Sequence, residues 1–232
     1  MNQPKPFQGF SIELLKFMHD LENHNNRDWF QKNKPRYESL WLEPALAFIE
    51  AMEQPLKRVA PDFRAIPKRT GGSLMRIYRD TRFGNDKSPY KTNMGIHFRH
   101  RVGKDVHAPG IYFHLDTRQP FLGVGIWRPD KTALTAIRQR IVEEPQSWKR
   151  VIGAKALTAQ FERTGESLKR MPRGYEPDLP CADDLRRKDH IAVCNLDLDE
   201  CLDPDLPELI AKRVKSASGF LRWICQAMSL GD

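Results

Sequence analysis

Apolar residues near the start of the chain recur at the three- and four-residue spacing of an amphipathic helix. Ile12, Leu15 and Met18 follow this spacing directly after Ser11, whose hydroxyl is suited to cap a helix. A second helix is predicted to begin near Asp28, after a break marked by two consecutive asparagines. The pattern therefore predicts a helical beginning to the chain.

Two prolines mark the starts of further helices. Pro35 and Pro44 fit first-turn positions, because proline lacks the N–H that an interior helical residue must donate. Helices are thus predicted over 35–42 and 44–59. Together with the first two they make residues 10–60 a helical region.

The middle of the chain changes from a helical period to short aromatic and β-branched segments separated by turn residues. Such a change is typical of an antiparallel meander, here predicted within residues 73–127. The predicted strands are 73–79, 93–102, 110–116 and 120–127, with turns at 103–104, 109–110 and 117–119.

Within these strands apolar and polar residues alternate, so the two faces of the sheet are predicted to differ. The predicted core face carries Ile96, Phe98, Val102, Ile111, Phe113, Leu115, Leu122, Val124 and Ile126. The predicted opposite face carries His97, Arg99, Arg101, Tyr112, His114, Asp116, Gly123, Gly125 and Trp127. Because glycine lacks Cβ, Gly123 and Gly125 leave part of this second face hollow, where another backbone or a ligand can approach closely.

The remainder of the chain is predicted to be mixed and mainly helical. Its predicted elements are helices over 131–142, 145–162 and 181–188, an ordered loop over 171–180, a strand over 190–196, and a long amphipathic helix from Asp203 onward. We therefore expect one α+β domain over residues 1–232, with an antiparallel sheet of about four to five strands flanked by N-terminal and C-terminal helices. Its parts are the helical region 10–60, the sheet 73–127 and the mixed helical region 130–232.

Composition and charge narrow the class of protein. Hydrophobic residues make up 40% of the 232-residue chain and charged residues 29%, as in globular proteins. The net charge of +8 favours encounters with anions. Four cysteines without C-x-x-C spacing are expected to be reduced and mostly buried. Because the chain has no apolar run of ~18 residues and no apolar leader, we expect a cytoplasmic location and no membrane partner.

The loop 79–91, RDTRFGNDKSPYK, concentrates cations beside two carboxylates and two aromatic rings. Counting residues 76–91 gives five cations against two anions, so three cations lack an acidic partner within the segment. A bound anion would relieve the cost of holding such cations partly buried. The loop leads into the strand that carries Arg99, next to the hollow face, and Gly84-Asn85 supplies a turn that would fold the cations back.

We therefore predict a pocket for a small anionic ligand, including phosphorylated ones. Arginine matches the oxygen spacing of phosphate and carboxylate, and lysine adds a point charge. The predicted anion ligands are Arg82, Lys87 and Lys91, with Arg76, Arg79 and Arg99 in support and with Tyr90, Tyr112 and Trp127 as walls.

The same region suggests acid–base groups but no nucleophile. Asp80 or Asp86 would orient the cations or act as a base, and His114 is the predicted proton carrier, because imidazole titrates near neutral pH. Whether the protein is an enzyme, which cofactor it uses and how it assembles stay open at this point. A metal triad of His97, His114 and Asp116 is a weaker alternative, as histidines in a sheet are more often structural.

Two rival hypotheses follow from the same residues. In the first, the charges simply pair with each other, Asp80 with Arg76 or Arg82 and Asp86 with Lys87 or Lys91, which makes the loop structural. Alternatively, the basic strand 97–104 and the loop 79–91 bind nucleic acid, whose affinity would fall steeply with salt.

Four blocks of the sequence resemble the domain-of-unknown-function family 2461. They are NNRDWF at 25–30, RIYRDTRFGNDKSPYKTN at 76–93, GVGIWRP at 123–129 and LKRMPRGYEPDLP at 168–180. The resemblance spans nearly the whole chain and implies one cytoplasmic α+β domain of about this length, without implying a reaction. Where many relatives carry serine after the Arg-Phe pair, this chain has Gly84, which removes one hydroxyl that would suit a phosphate.

Overall fold

A computed structural model describes residues 6–82, 86–103 and 107–230. Within these residues, six strands form one antiparallel sheet in the order β1-β2-β3-β4-β6-β5. The strands are β1 (Phe63–Arg64), β2 (Met94–His100), β3 (Gly110–Leu115), β4 (Phe121–Ile126), β5 (Glu162–Thr164) and β6 (His190–Asn195). The prediction of an α+β fold is therefore confirmed. Along the chain, helices precede and follow the antiparallel sheet.

Helices precede and follow the central strands. The helices before the sheet are α1 (Ile12–Asn23), α2 (Arg27–Lys32), α3 (Lys34–Arg36), a π-helix (Tyr37–Leu42), α4 (Glu43–Ala51) and α5 (Glu53–Val59). Those after β4 are α6 (Lys131–Glu143), α7 (Pro145–Ile152), α8 (Lys155–Thr158), α9 (Ala182–Arg186), α10 (Leu198–Leu202) and α11 (Leu206–Ala227).

Side-chain caps begin the first two helices, at Ser11 as predicted and at Asn26, which the sequence marked only as part of a break. The Ser11 hydroxyl accepts a hydrogen bond from the Leu14 N–H at 3.1 Å, and the Asn26 side chain accepts one from the Trp29 N–H at 2.9 Å. Each cap satisfies an N–H that has no partner within the helix. Pro44 lies in the first turn of α4, as expected, but the π-helix joins α3 to α4 without a break.

The predicted meander is confirmed for β2, β3 and β4. Its register pairs His97 with Tyr112 and Tyr112 with Gly123, so that these residues share the face away from the helices. The predicted core side chains of these strands are buried. Val102 is the exception, because β2 ends at His100 and the Val102 side chain is 54% exposed.

The segment 73–79 is not a full strand, contrary to the prediction. It makes only isolated bridges, one from Leu74 to Ile96 and one from Tyr78 to Tyr90. The reason is that β1 already pairs with the C-terminal end of β2. Residues 73–75 can therefore bond only to the N-terminal half of the same edge of β2. This arrangement places Met75 at one side of the hollow sheet face.

The second half of the chain departs from the prediction at two places. The predicted helix 145–162 stops at Ile152, followed by Gly153, and the chain then forms α8 and the edge strand β5. Residues 197–200 form a capping box that starts a separate short helix, so the long C-terminal helix begins at Leu206. Strand β6 and the short helix α9 lie where the sequence predicts them.

The core lies between the sheet and the helices. Phe10 stacks on Phe113 with ring centroids 5.9 Å apart, and Phe48 contacts both Phe98 and Phe113. Buried residues of the N-terminal helices, the sheet and α11 belong to one cluster. The four cysteines are free, and three of them are buried. In the described parts of the chain, none of the helices combines the length and the hydropathy required to cross a membrane.

Candidate functional site

A cavity of about 580 Å³ lies on the sheet face that points away from the helices. Its volume is in the range of small-molecule sites. The cavity is lined by Met75, Lys91, His97, Ala108, Gly110, Tyr112, Phe121, Gly123, Gly125, Trp127, Thr164, Ile191 and Val193. The hollow predicted from alternation and from the missing Cβ atoms is therefore present.

Two of the floor glycines are required by the fold. Gly125 has a φ of +116°, and an added Cβ would lie 2.1 Å from the His190 carbonyl oxygen. At Gly110 an added Cβ would lie 1.9 Å from His97 Nε2. Neither position tolerates a side chain without a shift of its neighbours.

Gly123 differs from these two glycines, because nothing nearby excludes a side chain. An added Cβ would meet the Phe121 ring and the Tyr112 carbonyl oxygen at 3.8 Å, which is ordinary van der Waals contact. Glycine within a strand costs roughly 0.5–1 kcal/mol relative to alanine. The main consequence of glycine here is therefore the open floor of the cavity.

His97 lies against this floor with its ring buried. Burial, and to a lesser extent the nearby Arg99 charge, lowers the pKa of His97 to about 4. Its Nδ1 has no hydrogen-bond partner within the described residues. A neutral imidazole at the cavity offers one N–H donor and one acceptor nitrogen.

Tyr112 connects the cavity to a short chain of polar side chains. The Tyr112 hydroxyl lies 3.2 Å from His114 Nδ1, and His114 Nε2 lies 3.2 Å from Asp116 Oδ2. An ionised Asp116 only accepts, so Nε2 carries the proton, and in neutral His114 Nδ1 accepts from the Tyr112 hydroxyl. His114, the predicted proton carrier, therefore does not line the cavity itself. It contacts Tyr112, which does line the cavity.

The environments of Tyr112 and Asp116 fix their protonation states. Burial raises the pKa of Tyr112 to about 12, so the phenol stays protonated at neutral pH. Burial alone would raise the pKa of Asp116, but hydrogen bonds from the backbone of Arg118 and Gln119 and from His114 outweigh it, and the pKa is lowered.

Lys91 brings an amine to the otherwise mainly apolar cavity. Burial, followed by repulsion from Arg76, lowers the pKa of Lys91. Within the described residues, its ammonium makes no ion pair and no hydrogen bond. The backbone is well anchored, because the Lys91 N–H donates to the Ile77 carbonyl at 2.7 Å. Asn25 also holds the preceding Tyr90 through both its backbone N–H and its carbonyl, at 3.1 and 3.0 Å.

The other loop cations are engaged within the loop rather than over the cavity. Arg79 pairs with Asp86, and the Arg82 guanidinium binds both oxygens of Asp80. These contacts lower the pKa of each carboxyl group; for Asp86 the largest cause is the hydrogen bond from Ser88.

The predicted convergence of Arg82, Lys87 and Lys91 over the hollow therefore needs correction. Lys87 is exposed and donates to the Thr81 carbonyl at 2.9 Å, and Arg82 faces Asp80. The predicted Asp80–Arg82 pair is confirmed, whereas Asp86 pairs with Arg79 instead of a lysine. The predicted turn at Gly84-Asn85 lies outside the described residues.

Tyr90 and the cations Arg79 and Lys87 line a different, more polar groove. The Tyr90 ring stacks on Phe30 with centroids 4.0 Å apart, so it belongs to the packing between the loop and α2. This outer groove is lined by Asn25, Asn26, Arg27, Gln31, Tyr78, Arg79, Thr81, Lys87, Pro89 and Tyr90.

The remaining predicted residues lie at the margins. Trp127 lines the mouth of the cavity, is 47% exposed and packs under the Arg128 guanidinium. Arg99 donates to the Gly72 carbonyl at 3.3 Å, and Arg76 is exposed. In the described part of the chain, no group of three acidic, histidine or cysteine side chains is arranged to hold a metal ion, which argues against the triad of His97, His114 and Asp116.

Several wall residues were not predicted from the sequence. Phe121 occupies the predicted cavity face of β4, so alternation alone would have found it. Ile191 and Val193 come from β6, which pairs with β4, and Thr164 comes from β5, which pairs with β6; no local pattern indicates either pairing.

These features define an α+β protein with a mainly apolar cavity, lined in part by Lys91, on the outer face of an antiparallel sheet. The chain belongs to the family described as conserved hypothetical protein (DUF2461), whose model matches residues 13–223. Comparison with curated proteins and with solved structures gives no match.

Proposed function

We propose that the sheet-face cavity binds a small organic molecule with an apolar body and a single anionic group directed at Lys91. The observation that carries the proposal is Gly123, a strand glycine that neither backbone conformation nor packing requires and whose missing side chain keeps the cavity open.

The walls favour an apolar and flat body. Phe121, Tyr112 and Trp127 offer aromatic surfaces, and Ile191 and Val193 offer aliphatic ones, around a floor of backbone. Burial of apolar ligand surface against such walls contributes roughly 25 cal/mol per Å². Aromatic pairs add about 0.5–1.5 kcal/mol beyond area burial.

Among the described lining residues, Lys91 is the one with a cationic side chain, and this limits the charge of the ligand. Polyphosphates are usually held by several cations or by successive backbone N–H groups. One half-buried lysine instead suits one carboxylate or one phosphate monoester group. The roles predicted for Arg76, Arg79, Arg82, Lys87 and Arg99 in anion binding stay predictions.

Nucleic acid remains a rival hypothesis with less support. Of the basic residues that it invokes on β2 and just beyond, Arg101 pairs with Asp62 and Arg99 is half-buried against Gly72, while Lys104 lies outside the described residues. Affinity that rises with oligonucleotide length and falls steeply with salt would favour it. We also keep a cytoplasmic location as a proposal, which the four free thiols support.

Calorimetry and thermal shift with 3-phenylpropanoate, inorganic phosphate and a short oligonucleotide test the proposed function. At ~100 times its dissociation constant a ligand adds about 2.7 kcal/mol of stability, which corresponds to a rise in Tm of roughly 5–10 °C for a chain of this size. We expect this rise with 3-phenylpropanoate and its loss in Lys91→Met. Lys87→Met is the matched control, because Lys87 is exposed and lies outside the cavity. Binding of phosphate or oligonucleotide alone, or equal loss in both variants, would contradict the proposal.

A further inference from the structure

We infer that Lys91 forms an imine with the carbonyl carbon of a small oxo acid bound in the sheet-face cavity. This inference rests on the proposed function, since it names the chemical class of the ligand for the same cavity. It also supplies a nucleophile, which sequence reasoning did not find.

The position of Lys91 suits an amine nucleophile better than a purely electrostatic anchor. Its side chain is half-buried at a mainly apolar cavity, and no carboxylate within the described residues neutralises it. Arg76 lies close enough to repel its charge. Desolvation and a neighbouring cation are the two means by which proteins make a lysine nucleophilic, because both favour the neutral amine.

The backbone around Lys91 is fixed, which a covalent site requires. The Lys91 N–H is hydrogen-bonded to Ile77, and Asn25 clamps Tyr90 from 65 residues away. The Tyr90 ring is in turn stacked on Phe30. Lys91 therefore lines the cavity of about 580 Å³ from an anchored backbone.

The step is balanced without an oxidant or a reductant. The lone pair of the neutral Lys91 nitrogen forms a C–N bond with the carbonyl carbon as the C=O π bond breaks, and one proton passes from the nitrogen to the oxygen, which becomes a hydroxyl group. That hydroxyl takes a proton and leaves as water while the C=N bond forms. That proton comes from solvent water, because the Tyr112 O–H already donates to His114 Nδ1.

The acid group of the ligand keeps a cationic partner throughout. A protonated imine carries the same positive charge as the ammonium that it replaces, so a carboxylate next to the carbonyl carbon stays paired after the bond has formed. The predicted ligand class is therefore an oxo acid with an apolar, preferably aromatic, body.

Reductive trapping tests this inference directly. The protein is incubated with phenylpyruvate and cyanoborohydride near neutral pH, and the modified lysines are located by peptide mass spectrometry. We expect Lys91 to be labelled at least tenfold faster than the exposed Lys87, four residues away. 3-Phenylpropanoate has the same skeleton without the carbonyl, so it should protect Lys91 and form no adduct.

Three variants sharpen the test. Gly123→Val should lower the labelling of Lys91 at least tenfold and leave Lys87 unchanged, because it obstructs the cavity floor. Lys91→Arg should still bind 3-phenylpropanoate but give no adduct at position 91, whereas Lys91→Met should lose both. Melting curves of each variant establish that it is folded.

The outcomes separate the two proposals. If 3-phenylpropanoate binds but phenylpyruvate leaves no adduct on Lys91, the imine is excluded and the binding function stands. Labelling spread evenly over the lysines, or Lys91 labelling that neither 3-phenylpropanoate nor Gly123→Val reduces, also overturns the inference. If neither compound binds, both proposals fail.

Discussion

Replacing Gly123 by valine is expected to weaken ligand binding in the proposed site while leaving the stability of the fold nearly unchanged. The first carbon of the new side chain would meet Phe121 and Tyr112 at 3.8–3.9 Å, which is ordinary van der Waals contact. Removing a strand glycine gains roughly 0.5–1 kcal/mol, and valine favours strands. We therefore expect a Tm that is unchanged or raised by roughly 1–4 °C.

The same substitution should weaken ligand binding substantially. Extra carbons in a well-packed space cost about 1–3 kcal/mol, and each 1.4 kcal/mol or so corresponds to a factor of ten in the dissociation constant. A roughly 5- to 150-fold loss of affinity for 3-phenylpropanoate is thus expected by calorimetry.

Gly219→Ala provides the matched control. Gly219 is exposed on α11, and an added Cβ would meet no atom within 4 Å. This variant should gain up to about 1 kcal/mol of stability, because glycine is a poor helix former, and should bind the ligand like wild type. A folded Gly123→Val protein with unchanged affinity would refute the placement of the ligand. An unfolded one would show that the fold does require this glycine.

Three further predictions concern charge and protonation. Lys91→Met should be as stable as wild type or more stable near neutral pH, and its advantage should shrink as alkaline pH neutralises the wild-type amine; urea unfolding at pH 7 and pH 10 measures this. Because the folded-state pKa of His97 is about 4, below its ordinary 6.5, wild type should lose up to about 3 kcal/mol as pH falls from 6.5 to 4. His97→Gln should lose correspondingly less over the same range, and an equal loss in both would refute this assignment. Nitrogen NMR of His114 should show the Nε2–H tautomer in wild type and a shift away from it in Asp116→Asn; an unchanged spectrum would exclude control by the carboxylate.

The sheet face was predictable because alternation in a strand is a local property. Residues 94–100, 110–115 and 121–126 each alternate in this way. In the structure their apolar side chains pack against the helices, and their glycines lie on the opposite face of the sheet. The helix caps at Ser11 and Asn26 are equally local, since a cap and its N–H lie three residues apart.

The pairing of cations with carboxylates within the loop 79–91 was not predictable in the same way. The sequence shows the imbalance of charge but not which cation meets which carboxylate, because such pairing depends on side-chain geometry over several residues. The backbone next to Lys91 is held by Asn25, which binds Tyr90 across 65 residues of sequence. Two blocks of the family resemblance, at 25–30 and 76–93, thus meet through the Asn25 amide and the stacked rings of Phe30 and Tyr90.

The walls supplied by β5 and β6 are also consequences of long-range pairing. Strand β6 joins the sheet next to β4, about 65 residues after it, and β5 adds at the outer edge. A three-residue edge strand carries almost no pattern of its own, so the predicted helix over 145–162 was extended too far.

A crystal structure of the protein with 3-phenylpropanoate would show where the ligand binds. We expect the phenyl ring over Gly123 between the aromatic walls, with the carboxylate about 3 Å from Lys91 Nζ. A fully ordered ligand bound instead in the outer groove beside Arg79 and Lys87, with the sheet-face cavity holding only solvent, would contradict it.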